Sequence, residues 1–256
     1  YRDPANRRFH AQTIACKDCG PRVYLTTSDG EAVECGDPIR EAGRLIEEGY
    51  IVAVKGNGGF HVATATTISE PIARLRRVKH RAQKPFAIMA RDLEAVKTFA
   101  DVSKWEAELL KSYIRPIVLL KKSEDYYLSE LISPRLHTIG VMLPYTGLHV
   151  MLFDWVKEPA FVMTSANPPN EPIVIDNDEA YRRLGRDVDY ILLHNRRIAQ
   201  RCDDSVVRLH GRDLVIIRRS RGYAPEPIRL KIPSKKCSLG VGAELMVTAV
   251  SYTHLT

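Results

Sequence analysis

Apolar positions recur along this chain with two periods. Behind Asp37-Pro38, Ile39, Ala42, Leu45 and Ile46 form a stripe at helical spacing that ends at Gly49. A capping aspartate followed by proline at the first helical position predicts a helix opening there. "YIVAVKG" is a continuous apolar run and reads as a strand, broken by the glycines of "GNGG". A second helix opens near Ser69-Glu70-Pro71 and runs into the basic stretch "LRRVKHRAQKPF". "PFAIMA" reads as the next strand, and the stretches near 92–100 and 103–113 read as helical. "PIVLLKK", "TIGVML", "AFVMTS" and "YILLH" are four more strand candidates. "SVVRLHG" and "LVIIRRS", separated by turn residues around Gly211, read as a hairpin. Mostly apolar strands interspersed with helices predict an α/β domain with a mixed sheet over residues 37–231. The first 36 residues show little periodicity, and a metal knuckle or extended linker is expected there.

Composition narrows the class. The 256 residues are 45% hydrophobic and 27% charged, as in a soluble globular protein of one large or two modest domains. No apolar run approaches the ~20 residues that span a bilayer, the best stretch, residues 141–155, being interrupted by Pro144, His149 and Asp154. No signal peptide is visible, so a cytoplasmic setting is the default, and the opening Tyr1 leads us to expect the natural start upstream. A net charge of +7 and a pI near 9.2 favour anionic partners. The cysteines are Cys16, Cys19, Cys35, Cys202 and Cys237, an odd and irregular set that fits a reducing compartment better than a disulfide framework.

Four clusters could carry chemistry. "VKGNGGFH" follows a strand but satisfies neither GxGxxG nor the P-loop pattern. It is either a tight turn or a place where Gly58 and Gly59 admit a ligand close to the backbone beside Lys55. In the basic stretch, Lys79 and Arg81 would point about 200° apart on a helix, whereas residues two apart share a side in extended chain. Pro85 also disfavours helical geometry at Lys84. If Lys79, Arg81 and Lys84 serve one ligand, the helix must stop near Val78; otherwise they are cations at a helix C-terminus. "VMTSAN" ends a strand with Ser165 and Asn167 facing one way, either at a binding position or in a turn before Pro168-Pro169. In "DDSVVRLHGRDLVIIRRSRGYAP", strand alternation would send Arg219 and Arg221 to one face and Arg218 to the other, with a solvated edge as the alternative.

Taken in order, KxRxxKPF, TSAN, DDSV and RRxRGYAP, with "GVMLPYTGLH" between, resemble the YrdC-like domain that makes carbamoyl or threonylcarbamoyl adenylates. The variant matched is that of the HypF carbamoyltransferases of [NiFe]-hydrogenase maturation. "RDPANRRFHAQTIACKDCGP" is similar to the end of that family's second zinc finger, and "LGVGAEL" near 239–245 to the opening of its transferase domain. The resemblance implies three parts: 1–36 from a finger and linker, 37–231 a YrdC-like ATP domain, and 232–256 a linker with a truncated or aberrant transferase start.

By the same resemblance, an acylphosphatase-like domain releases carbamate from carbamoyl phosphate, and the YrdC-like domain joins it to ATP, releasing pyrophosphate. A ligase (AMP-forming) step is thus implied for this chain, with later transfer of the carbamoyl group to the C-terminal cysteine of HypE by another domain. Lys79, Arg81 and Lys84 would hold the phosphates, with Mg²⁺ bridging them, and Ser165 and Asn167 would orient the acyl end. The catalytic set is Lys79, Arg81, Ser165 and Asn167. Lys55, Gly58, Ser205, Arg218 and Arg221 would complete the nucleotide wall. Cys16 and Cys19 are half of a four-cysteine zinc site whose partner pair is expected upstream of Tyr1. Three departures stand out: Ala65 where the family has an acid, Gly147 where it has proline, and a tail, "MVTAVSYTHLT", unlike the family after Leu245. The competing expectations are a double-stranded RNA-binding module and a threonylcarbamoyl-adenylate synthase of tRNA modification.

Overall fold

The computed structural model describes residues 3–5, 9, 20–168, 171–228, 238–241 and 249–252. Its first strand, β1 (Val23–Thr27), falls inside the stretch expected to be linker. The expectation fails from Val23 onward because the strand's partner lies more than 160 residues away and leaves only a five-residue local signal. The helix α1 (Pro38–Glu47) forms as the stripe predicts, with Asp37 accepting from the backbone N–H groups of Ile39 and Arg40. Next come β2 (Val52–Lys55) and β3 (Phe60–Ala65). The sequence reading assigned no element to "FHVATA", which forms β3. All six of its residues are buried, so it lacks the alternation that betrays a half-exposed strand.

The helix α2 (Ser69–Val78) stops where extended geometry for the basic stretch requires it to. There follow β4 (Ala87–Ala90), α3 (Leu93–Lys97), β5 (Ala100–Asp101) and α4 (Lys104–Lys111), the last opened by a reciprocal cap between Ser103 and Glu106. The remaining elements of the domain are β6 (Ile117–Lys122), β7 (Thr138–Met142), α5 (Gly147–Met151), β8 (Ala160–Ser165), α6 (Asn177–Leu184) and β9 (Tyr190–His194). The expected hairpin is β10 (Val206–His210) with β11 (Asp213–Arg218), turning at Gly211, whose φ is +63°. Beyond it, β12 (Ser238–Val241) and β13 (Ala249–Tyr252) pair antiparallel as a separate two-stranded sheet.

The main sheet is mixed, as expected, and runs β1-β9-β2-β3-β8-β4-β7-β6-β10-β11, with β5 beside β6. The pairs β2/β9, β4/β7 and β6/β10 are parallel and the rest antiparallel. Alternation along the buried strands sorts side chains into two cores. Ala160 and Val162 of β8 join the core beneath α2, α3, α4 and α6, whereas Phe161 and Met163 join the core beneath α1 and Leu152–Phe153. The sheet is therefore covered on both faces, and functional groups must gather where strand and helix ends meet. Among the described residues no helix is long and apolar enough to cross a membrane.

Candidate functional site

The basic stretch changes conformation at its middle. Lys79 caps α2, and His80 takes a left-handed conformation with φ of +49°. The loop that follows is held by one of its own arginines. Arg76, buried on α2, donates from Nε to the Leu131 carbonyl (2.6 Å), from Nη1 to those of Arg81 (2.8 Å) and Ala82 (3.3 Å), and from Nη2 to those of Ile132 (3.3 Å) and Lys84 (3.4 Å). Its guanidinium also lies 4.9 Å from the Phe86 ring centre. Five carbonyls on one planar fork fix the loop backbone. Sequence reasoning treated Arg76 as one cation among several. Its place four residues after the buried Ile72 was the available signal.

With the backbone held, Lys79, Arg81 and Lys84 reach the same side. Lys79 Nζ donates to the carbonyls of Ser165 (2.6 Å) and Asn167 (3.1 Å) and to Asn167 Oδ1 (3.3 Å). Ser165 Oγ donates to the same amide oxygen at 2.9 Å. Arg81 Nη1 reaches Thr164 Oγ1 at 3.2 Å. Together with Arg218 at the end of β11, these residues line one cavity of about 840 Å³. So the structure brings Lys79, Arg81, Lys84, Ser165, Asn167 and Arg218 together. A side chamber of about 360 Å³ adjoins it past Arg81 and Lys84, walled by Phe86, Ile117, Leu119, Met163 and Val206.

The main cavity is strongly cationic: Lys79, Arg81, Lys84, Arg201 and Arg218 face only Glu171 and Asp203 among its acidic lining. Burial lowers the Lys79 pKa to about 7, with repulsion from Arg81 and Lys84 adding to it and Asp187 opposing. Burial also lowers Arg81 and Lys84, Arg218 contributing to both. Such a cluster of mutually repelling cations is electrostatically suited to a polyanion.

Four expected wall residues lie elsewhere. Lys55 is buried in the sheet, its Nζ committed to Asn177 Oδ1 (2.6 Å) and the His194 carbonyl (3.1 Å). Gly58 admits the chain itself, since a Cβ there would stand 2.4 Å from the Cys202 carbonyl oxygen. Gly59 does the same for Ile173, which would lie 2.6 Å away. Ser205 is fully buried, accepting from the Ser220 N–H (2.8 Å) and donating to the Arg221 carbonyl (2.9 Å). Arg221 is consumed by Asp204 (2.8 Å) and the carbonyls of Ile114 (2.9 Å) and Arg115 (2.8 Å). Nor do Arg219 and Arg221 share a face. The strand ends at Arg218, and Arg219 turns to the Glu226 carbonyl. The reading missed His80, Glu171, Arg201, Cys202, Asp203 and Ser220, all in the cavity wall. Arg201 and Cys202 directly precede the "DDSV" cluster that drew attention only to Ser205.

Cys16 and Cys19 lie outside the described residues. Among the described residues no group of three or more His, Cys, Asp or Glu could hold a metal ion, and Cys35 and Cys202 are free thiols.

The Sua5/YciO/YrdC family profile, described as "Telomere recombination", matches residues 44–220, and the HypF finger profile matches residues 1–26. A probable carbamoyltransferase HypF of Methanocaldococcus jannaschii is 50% identical over 232 residues, covering 89% of this chain and 30% of the relative. The crystal structure of T. kodakarensis HypF matches with a TM-score of 0.87 and 54% identity, over 96% of this chain and 32% of that one. A full-length HypF in the phosphate- and nucleotide-bound form matches with a TM-score of 0.84 and 47% identity, over 93% of this chain and 31% of that one. This chain thus spans about a third of the length of these relatives.

Proposed function

This chain belongs to the Sua5/YciO/YrdC family, in the form carried by HypF carbamoyltransferases, and on that premise we propose that it joins carbamate to ATP, forming carbamoyl adenylate and pyrophosphate. One observation carries the reading: three cations of one loop and the polar pair Ser165 and Asn167 converge on a single cavity of about 840 Å³. That volume lies within the range of small-ligand sites.

In the proposed reaction a carbamate oxygen attacks the α-phosphorus, a new O–P bond forms, and the bond from that phosphorus to the bridging oxygen of pyrophosphate breaks. Anion meets polyanion, so repulsion must be removed before the two approach. Lys79, Arg81, Lys84 and Arg218 supply that positive field from fixed positions, which is the main service a protein offers phosphorus chemistry. Ser165 and Asn167, already joined by a hydrogen bond, orient the acyl group next to Lys79. The base occupies the apolar side chamber. Mg²⁺ binds through phosphates plus one or two carboxylates, and Asp203 at the wall would offer one, Glu171 being paired with Arg183. When bound, it would neutralise phosphate charge. No side chain has to become a covalent nucleophile.

Release of carbamate from carbamoyl phosphate and transfer to HypE, in hydrogenase maturation, are proposed for a protein of the relatives' full length. A zinc ion on Cys16 and Cys19 is proposed likewise, supported by the finger match over residues 1–26. The cations here gather around one cavity, with Lys79 among them only 7% exposed. Double-stranded RNA, read along a broad basic face, is therefore less well served.

The test is pyrophosphate exchange into ATP by this chain, supplied with carbamate from ammonium and bicarbonate. Exchange that depends on carbamate and vanishes in Lys79→Ala is expected. Exchange supported by threonine and bicarbonate instead would transfer the assignment to threonylcarbamoyl adenylate, and exchange unaltered by Lys79→Ala would refute the site.

A further inference from the structure

Behind the cavity residues Arg201, Cys202 and Asp203 lies a buried polar network, whose Asp204 also borders the side chamber and to which the proposed chemistry assigns no role. Asp204 Oδ1 accepts from Nε (2.9 Å) and Nη2 (2.8 Å) of Arg221, and Asp204 Oδ2 lies 2.9 Å from His61 Nε2. The Arg221 guanidinium rests on the Tyr145 ring, 3.6 Å from its centre. Burial would raise the Asp204 pKa, but His61 and Arg221 outweigh it and hold the carboxyl well below the usual range. Asp204 therefore stays anionic, and its two oxygens are engaged within the protein. It is flanked by Arg201, Cys202 and Asp203, all of which line the cavity.

Each neighbour is tethered through the same region. Cys202 N–H donates to the Gly58 carbonyl (2.9 Å), Arg221 N–H to that of Asp203 (3.0 Å), and Arg201 Nε to that of Ile173 (2.7 Å). Ser205 Oγ joins Ser220 to Arg221, just after the cavity residue Arg218. One anion thus connects β3, the segment before β10 and the segment after β11.

We propose that Asp204 is a positioning residue for the nucleotide cavity: held between His61 and Arg221, it sets the 201–205 wall and the 218–221 segment at the distance from Lys79 that a polyphosphate needs. The proposal rests on the nucleotide reading above. A buried ion pair serving the core alone would stabilise the fold without governing affinity, whereas this network sits directly behind three cavity residues.

The experiment measures ATP affinity by calorimetry alongside urea stability and hydrogen exchange. Asp204→Asn keeps the shape and removes the anion, and should weaken ATP binding by about tenfold or more, as for loss of a charged hydrogen-bonded support. Amides of 201–205 should also exchange faster. Val96→Ala, in the core on the opposite face of the sheet, should lower stability while leaving affinity and the exchange of 201–205 unchanged. A second pair guards against a variant that fails to fold: His61→Leu should weaken binding by about fivefold, and His61→Gln, which retains a donor, should recover most of it. Equal affinities for the two His61 variants, or equal weakening in Val96→Ala, would overturn the proposal. ATP binding by the unaltered chain that Asp204→Asn leaves intact overturns it alone, whereas no ATP binding by the unaltered chain overturns the nucleotide reading as well.

Discussion

Lys79 offers the sharpest test of the cavity's electrostatics. Buried beside Arg81 and Lys84, it has a pKa lowered to about 7 from an ordinary 10.5. In the empty protein at pH 8 it is then about nine-tenths neutral. A polyphosphate brings several negative charges next to the amine, restores its proton and so couples binding to proton uptake. The γ-phosphate itself titrates near pH 6, so above pH 7.5 it contributes little to this linkage. Uptake should approach about 0.9 proton per ATP at pH 8, and affinity should fall about tenfold per pH unit above 7 while staying flat just below it. Calorimetry in buffers of different ionisation enthalpy reads the uptake directly. Lys79→Met should bind weakly at every pH and lose the slope. The same variant should raise stability at pH 7. An unfolded lysine keeps its proton up to 10.5 while the folded one gives it up near 7, so stability rises with pH between those values and the full penalty, up to ~5 kcal/mol, is felt below pH 7. Negligible proton uptake at pH 8, or a slope surviving in Lys79→Met, would show that the amine is not desolvated as the geometry states.

Three further outcomes are expected. Burial, with repulsion from His61, lowers the His149 pKa to about 3 from 6.5. The unfolded chain therefore takes up a proton first, and stability falls as pH drops from 6.5 toward 3, by ~2 kcal/mol at pH 5; urea unfolding at pH 7 and 5 should show that loss, reduced in His149→Phe. Gly58→Ala puts a Cβ against the Cys202 carbonyl, 2.4 Å away, and should cost ~1–3 kcal/mol in thermal unfolding; an unchanged melting temperature would contradict the close approach. Arg76→Lys removes the fork that holds the cation loop and should weaken ATP binding by about tenfold, as for loss of charged hydrogen bonds; affinity equal to that of the unaltered chain would mean that the loop holds itself.

The elements legible in the sequence are those whose causes are local. The α1 helix follows from its cap, proline and stripe, and the hairpin from its turn at Gly211. The end of α2 at Val78 was only one of two alternatives, the one required if Lys79, Arg81 and Lys84 serve one ligand, and the structure takes it. Local geometry gave Ser165 and Asn167 a shared side at a strand end but left them between a binding position and a turn; the structure puts both in the cavity lining. The strands β1 and β3 were not legible, the first because its partner is remote and the second because burial on both faces erases the period of two.

What the chain determined alone was which charged and polar groups it carries and where its backbone must turn. Only the tertiary structure decided which groups are free to meet a ligand. Lys55, Ser205 and Arg221 looked like site residues, yet each is claimed by Asn177, Ser220 or Asp204. Arg76 looked like its neighbours and became their scaffold. A buried cation must find oxygens wherever the fold supplies them. The Asn177 that takes Lys55 stands 122 residues away, and the Ile114 carbonyl that takes Arg221 stands 107 away. No periodicity along the chain encodes such distances.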